Sequence, residues 1–133
     1  HSFGCPSTVL ALERGLKAAA LVFFAPPLRQ IDQFRRLGSR YGLAPDEIEE
    51  VIVRLRAAGA SMDAMDLGAK GAARTEPLLI IHSADDEMTP VEGARALAAA
   101  WPGARLLEAE GLGHNLTMRD GVLVAAAVRF AVG

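Results

Sequence analysis

Cysteine is almost missing from this sequence. The one present, Cys5, has no second thiol with which to close an internal disulfide. Three scattered histidines and one cysteine make no ligand cluster of the kind zinc needs, so no metal is expected. Aromatic residues make up 5% of the chain and do not interleave with a basic stripe. The 14 Lys and Arg are scattered among 16 Asp and Glu, for a net charge of -2. So balanced a chain exerts no general pull on nucleic acid or an anionic membrane, and neither is expected as a partner. No apolar run is long and uninterrupted enough to span a bilayer. No secretory signal is visible, and the cytoplasm is the expected compartment. Aliphatic residues are what the sequence has in plenty. Of its 133 residues 51% are hydrophobic, which suits one small globular domain or part of a larger one. No repeat, low-complexity tract or linker divides it.

The outer thirds alternate between helix and strand patterns. Cys5 to about Arg14 reads as a helix with Val9, Leu10 and Leu12 as its apolar part, Pro6 in the first turn and Gly15 as the stop. Ala18 to Phe24 reads as a strand buried on both faces, ended by Pro26-Pro27. Pro77 to Ile81 is a second, strongly apolar strand, followed by the polar loop His82 to Pro90. A helix from Pro90 to about Trp101 leads through Pro102-Gly103 to a shorter strand, Ala104 to Ala109. The loop Gly111-Leu112-Gly113-His114 comes next, then a helix over about Arg119 to Phe130 with Leu123, Ala127 and Phe130 on one face. Strands that follow helices and carry near-continuous apolar runs belong to a parallel sheet.

The middle third has a different texture. Two amphipathic helices are predicted, about Leu28 to Tyr41 and Pro45 to Ala58. Ile31, Phe34, Leu37 and Tyr41 lie on one side of the first, whose C-terminal part Gly38 weakens. Ile48, Val51, Ile52 and Leu55 line the second, which opens on Pro45-Asp46-Glu47 and closes at Gly59. Residues 59–74 predict no definite element; Met62 and Met65 there are adaptable apolar contacts.

Three short stretches carry chemistry. His1-Ser2-Phe3-Gly4, with one glycine placed before it, reads as the nucleophile elbow G-x-S-x-G. The loop after the second strand has Ser83, Asp86 three positions on and Pro90 four beyond that. Gly-x-Gly-His stands at 111–114. In these motifs and their order Ser…Asp…His, the chain resembles the C-terminal half to two-thirds of an α/β-hydrolase-fold serine hydrolase. The resemblance extends over the whole chain. It implies a three-layer α/β domain with a mostly parallel sheet, and a small helical cap at 28–74. It implies further strands before the elbow, so the chain is expected to be a fragment of a longer protein.

The resemblance also implies roles. Ser2 attacks a carbonyl, His114 takes its proton and returns it to the leaving group, and Asp86 holds the other ring nitrogen. The Phe3 N–H is one oxyanion donor, and a second comes from a loop upstream of the elbow. The expected substrate is a small, apolar ester-like molecule, with no cofactor. Plainer readings stand beside these. Ser2 can be a helix N-cap, and Asp86 a turn residue. Asp85 competes with Asp86 as the acid, the spacing to Pro90 favouring Asp86. His82 reads as structural, His1 as a spacer, and Trp101 and Phe130 as core. Cys5 reads as packing, with a nucleophilic thiol as the alternative. Arg35-Arg36 and Glu49-Glu50 read as solvated helix faces. A non-catalytic binding domain, or a thioesterase, carbon–carbon hydrolase or peroxidase on the same fold, are the rival functions.

Overall fold

Four consecutive large aliphatics, Leu78 to Ile81, must be hidden on both sides, and the fold hides them completely. In the computed structural model, which describes residues 1–133 apart from the side chain of Asp63, they become strand β2 (Leu78–Ser83), buried at every position. β2 is the middle of a three-stranded parallel sheet, with β1 (Leu21–Phe24) on one side and β3 (Arg105–Ala109) on the other. The register places Phe23 beside Ile80 and Ile80 beside Leu106. Neighbouring parallel strands need long crossovers. The first carries α2 (Gln30–Arg40), α3 (Pro45–Ala57) and α4 (Leu67–Gly71); the second carries α5 (Val91–Ala100). Before β1 comes α1 (Gly4–Glu13), and after β3 comes α6 (Gly121–Val132).

Alternation along the strands divides the core into two layers. Leu21, Phe23, Leu78 and Ile80 pack with Val9 and Leu12 of α1, Leu67 of α4, and Leu97 and Trp101 at the end of α5. Trp101 meets Phe23 edge to face at 6.1 Å between ring centroids, and its indole N–H donates to the Glu76 carbonyl at 2.9 Å. Leu79 and Ile81 face the opposite way, onto Leu123 and Ala127 of α6. Helices on both faces of a mostly parallel sheet make the three-layer α/β arrangement predicted above. No helix among the described residues is long and apolar enough to cross a membrane.

Several local expectations need correction. Ala18 to Ala20 lie outside β1, and along β1 only alternate residues are fully buried. Val22 and Phe24, which face the layer that holds α6, are only partly buried. Tyr41 is 80% exposed rather than on the apolar side of α2, because it follows the last helical residue and the chain turns away at Gly42. Val51 is exposed too: α3 is held along a narrow stripe of Ile48 and Ile52 that packs on Ile31 and Phe34. Residues 59–74 contain a short 3-10 turn, Asp63–Met65, and then α4, whose first residue Leu67 is fully buried under the sheet. Phe130 is half-buried at the edge of the second layer.

The α2–α3 excursion closes on itself at its base. Arg29 and Asp66 form an isolated antiparallel bridge and an ion pair at 3.4 Å, and Leu67 N–H donates to the Leu28 carbonyl at 2.8 Å. Gly38 has a packing role here. A Cβ on it would stand 2.8 Å from Ile48 Cγ1, so its missing side chain lets α2 meet α3. Gly38→Ala gains about 1 kcal/mol of helix propensity and costs about 1–3 kcal/mol by overpacking. A net loss of stability and faster hydrogen exchange in α3 are therefore expected, and equal or slower exchange would show that the approach is not tight.

Candidate active site

Ser2 sits in the left-handed backbone region, at φ 50. A residue with a Cβ adopts that conformation at a cost, and such strain gathers where a side chain must be aimed. The bonds around it explain how it is held. Ser2 N–H donates to the Phe24 carbonyl at the end of β1 at 2.9 Å, Gly4 N–H to the His1 carbonyl, and Cys5 N–H to the Ser2 carbonyl. Phe3 is the residue that caps α1, and it does so without a side-chain bond. The Ser2 hydroxyl is therefore not the helix cap. Its oxygen lies 3.0 Å from Nε2 of His114.

His114 is brought there by the loop after β3. Gly111 and Gly113 both take positive φ, a backbone that glycine adopts freely. His114 Nδ1 donates to Oδ2 of Asp86 at 2.7 Å, which leaves Nε2 as acceptor for the Ser2 O–H. The three predicted residues, 28 and 112 positions apart in sequence, thus form one connected line.

Asp86 is 5% exposed, at the turn that follows β2. Its Oδ1 accepts the Met88 N–H at 2.9 Å and the Thr89 N–H at 2.8 Å, so Oδ2 remains for histidine. Burial by itself would raise the pKa of the carboxyl. Hydrogen bonds from His114, His82 and the Thr89 N–H outweigh it and hold the carboxyl well below the usual carboxylate range.

Asp85 faces elsewhere. It accepts from the Ser83 hydroxyl and from the N–H groups of Gly111 at 3.0 Å and Gly113 at 3.3 Å. Leu112 N–H in turn donates to Ser83 Oγ at 3.2 Å. The two neighbouring aspartates divide the work: one touches the histidine ring, the other ties down the loop that carries it. Ser83 and Asp85 as a brace were not foreseen. A polar pair at the end of a buried strand, opposite a glycine-rich loop, was the signal on offer.

His1 also does more than space the elbow. Its Nε2 lies 3.0 Å from the His114 carbonyl, and the two rings stand 4.8 Å apart. Cys5 is 1% exposed, and burial pushes its thiol up to about 11. A thiol so held is not a thiolate at neutral pH, which favours packing over the nucleophilic alternative. The Phe3 N–H makes no hydrogen bond among the described residues. His82, read as structural, is fully buried and lies against Asp86.

Comparison with known proteins gives three findings. No curated protein matches the sequence. Solved structures match along nearly the whole chain at low identity. An α/β-hydrolase enzyme from the sediment metagenome of the Mar Chica lagoon, Morocco, has a TM-score of 0.66 at 20% identity, over 97% of this chain and 57% of its own. The esterase domain of a Rhodothermus marinus protein has 0.67 at 17%, over 99% and 57%. The monoacylglycerol lipase of Paleococcus ferrophilus has 0.64 at 18%, over 99% and 66%. This chain thus spans less than two-thirds of the length of each. Finally, the family model described as TAP-like protein matches residues 61–129, just over half of the sequence and including both Asp86 and His114. With the three-layer parallel sheet already described, that match establishes that the chain belongs to the TAP-like family of α/β-hydrolase-fold proteins.

Proposed function

We propose that the protein is an esterase-type serine hydrolase, which cleaves an ester or related acyl bond of a small apolar substrate through an acyl-enzyme on Ser2. The observation that carries this reading is the unbroken line Ser2 Oγ, His114 Nε2, His114 Nδ1, Asp86 Oδ2, at 3.0 and 2.7 Å. A serine hydroxyl is a weak nucleophile unless a base removes its proton as it attacks. His114 is oriented to do so, because its Nδ1–H is committed to Asp86 and its Nε2 is free to accept. The imidazolium formed is stabilised by a carboxylate that stays charged. His114 then returns the proton to the leaving group, and water deacylates Ser2 by the same route. The unbonded Phe3 N–H, directly after the serine at the start of α1, is placed to donate to the oxyanion.

Residues 28–74 serve in this reading as a cap over the site. The apolar make-up of this segment favours an apolar acyl or alcohol portion, although Ile31 and Phe34 are themselves taken up in packing on Ile48 and Ile52. No step needs a cofactor. The esterase and lipase among the structural neighbours are in keeping with acyl chemistry.

The test is a fluorophosphonate probe on the full-length protein, read by intact mass and by mapping the modified peptide. A single adduct on Ser2 is expected. A folded protein that gives no adduct, or an adduct elsewhere, would favour a binding domain that has kept the geometry without the chemistry.

A further inference from the structure

A second imidazole lies against the acid that orients His114. His82, near the end of β2, is 0% exposed. Its Nε2 is 2.7 Å from the Thr89 carbonyl and 3.3 Å from Asp86 Oδ2, the oxygen that also receives His114 Nδ1–H. The Thr89 carbonyl can only accept, so Nε2 of His82 carries the hydrogen. Nδ1 of His82 is buried and has no partner among the described residues. Leaving a buried ring nitrogen unpaired is unfavourable, and natural cores rarely tolerate it without a compensating role. Here the opposite edge of the ring gives its N–H to the backbone of the 86–90 turn and stands 3.3 Å from the acid itself. The charged groups around it are Asp86 and, across on β3, Glu108, whose carboxylate is held by Arg95 of α5 at 2.8 and 2.6 Å.

We propose that His82 is a positioning residue for the reaction. Its Nε2–H, bonded to Thr89 O and 3.3 Å from Asp86 Oδ2, fixes the plane of the Asp86 carboxylate and limits how much of its charge reaches His114. This rests on the serine-hydrolase reading above. The packing of the ring could be supplied by phenylalanine, but the N–H beside the acid could not.

Two measurements test it in the full-length protein. Heteronuclear NMR of the His82 ring nitrogens is expected to show hydrogen on Nε2 and a bare Nδ1; the opposite tautomer overturns the proposal. The rate of fluorophosphonate labelling, followed against pH, is the second. In His82→Phe the rate should fall roughly tenfold, the effect of one hydrogen bond to a charged group. The acid limb of the profile should move up by roughly half a pH unit, because Asp86 then gives more of its charge to the His114 imidazolium. His82→Gln places an N–H at the Nε2 position and should recover most of the rate, whereas His82→Asn, too short to reach, should not. If His82→Phe does not fold, the tautomer and the Gln/Asn pair decide. A labelling rate and pH limb that stay at the wild-type values in His82→Phe or His82→Asn, even with a lowered melting temperature, would show packing alone and overturn the proposal. An unlabelled wild type overturns the hydrolase reading and with it this role, while the tautomer still reports separately on the bond.

Discussion

Ser2→Ala is expected to lower the rate of ester cleavage by on the order of 10⁴-fold or more, with no measurable loss of stability. The chemical half of that expectation follows from the missing oxygen: His114 Nε2 has nothing to deprotonate, and no acyl-enzyme can form. The thermodynamic half follows from the backbone. Alanine keeps a Cβ at φ 50, so the strain at the elbow is unchanged, and the backbone bonds from Ser2 and Cys5 remain. Ser2→Gly separates the two effects. It should be equally inactive and yet more stable by about 1 kcal/mol, since glycine enters the left-handed region without penalty. Thermal melts and single-turnover assays on the full-length wild type and both variants measure this. A glycine variant that is no more stable would mean that the elbow is not strained in solution. An alanine variant that still turns over substrate would remove Ser2 from the chemistry.

Asp86→Asn is expected to have the second large effect, about 10⁴-fold in kcat, and the geometry says why so small a change would matter. Oδ1 of Asp86 is already engaged by two backbone N–H groups, from Met88 and Thr89. The asparagine oxygen will keep those bonds. Its NH₂ must then take the place of Oδ2, facing His114 Nδ1 and His82 Nε2. A donor at that point forces the His114 hydrogen onto Nε2, where it blocks acceptance of the Ser2 proton. The same swap sets a donor against the His82 N–H and costs stability.

That cost depends on pH in a definite direction. The Asp86 carboxyl is held below its unfolded value of about 3.9. A depressed folded pKa contributes stability that is fully present above the unfolded pKa and is lost as pH falls through the folded one. The gap in melting temperature between wild type and Asp86→Asn should therefore be widest near neutrality and shrink below about pH 4. A gap that widens in acid would contradict the bonding described.

Much of the fold was readable because it rests on local rules. Leu78 to Ile81 had to be a doubly buried strand, and the proline and acids at 45–47 had to open a helix. Pairings that depend on a partner far along the chain were not readable. Gly38 looks like a defect in α2 until Ile48 of α3 is seen against it. Tyr41 fits the period of α2 but stands where the helix has already ended.

The candidate site divides in the same manner. Residue types, chain order and the resemblance to α/β-hydrolase motifs brought forward Ser2, Asp86 and His114 as candidates, because serine-hydrolase chemistry requires a hydroxyl, an acid and an imidazole on successive loops. Spacing favoured Asp86 over Asp85 but could not say what Asp85 was for. That needed the folded loop, where Asp85 accepts two N–H groups from the glycines beside His114. It also needed the folded loop to turn His82 from a buried strand residue into a neighbour of the acid, at 3.3 Å. Sequence order and residue chemistry carry the list of candidate groups, since those are properties of single residues and short motifs. Which oxygen each nitrogen meets is a property of β2, β3 and the elbow packed together, and it exists only once the parallel sheet has brought the ends of its strands to one edge.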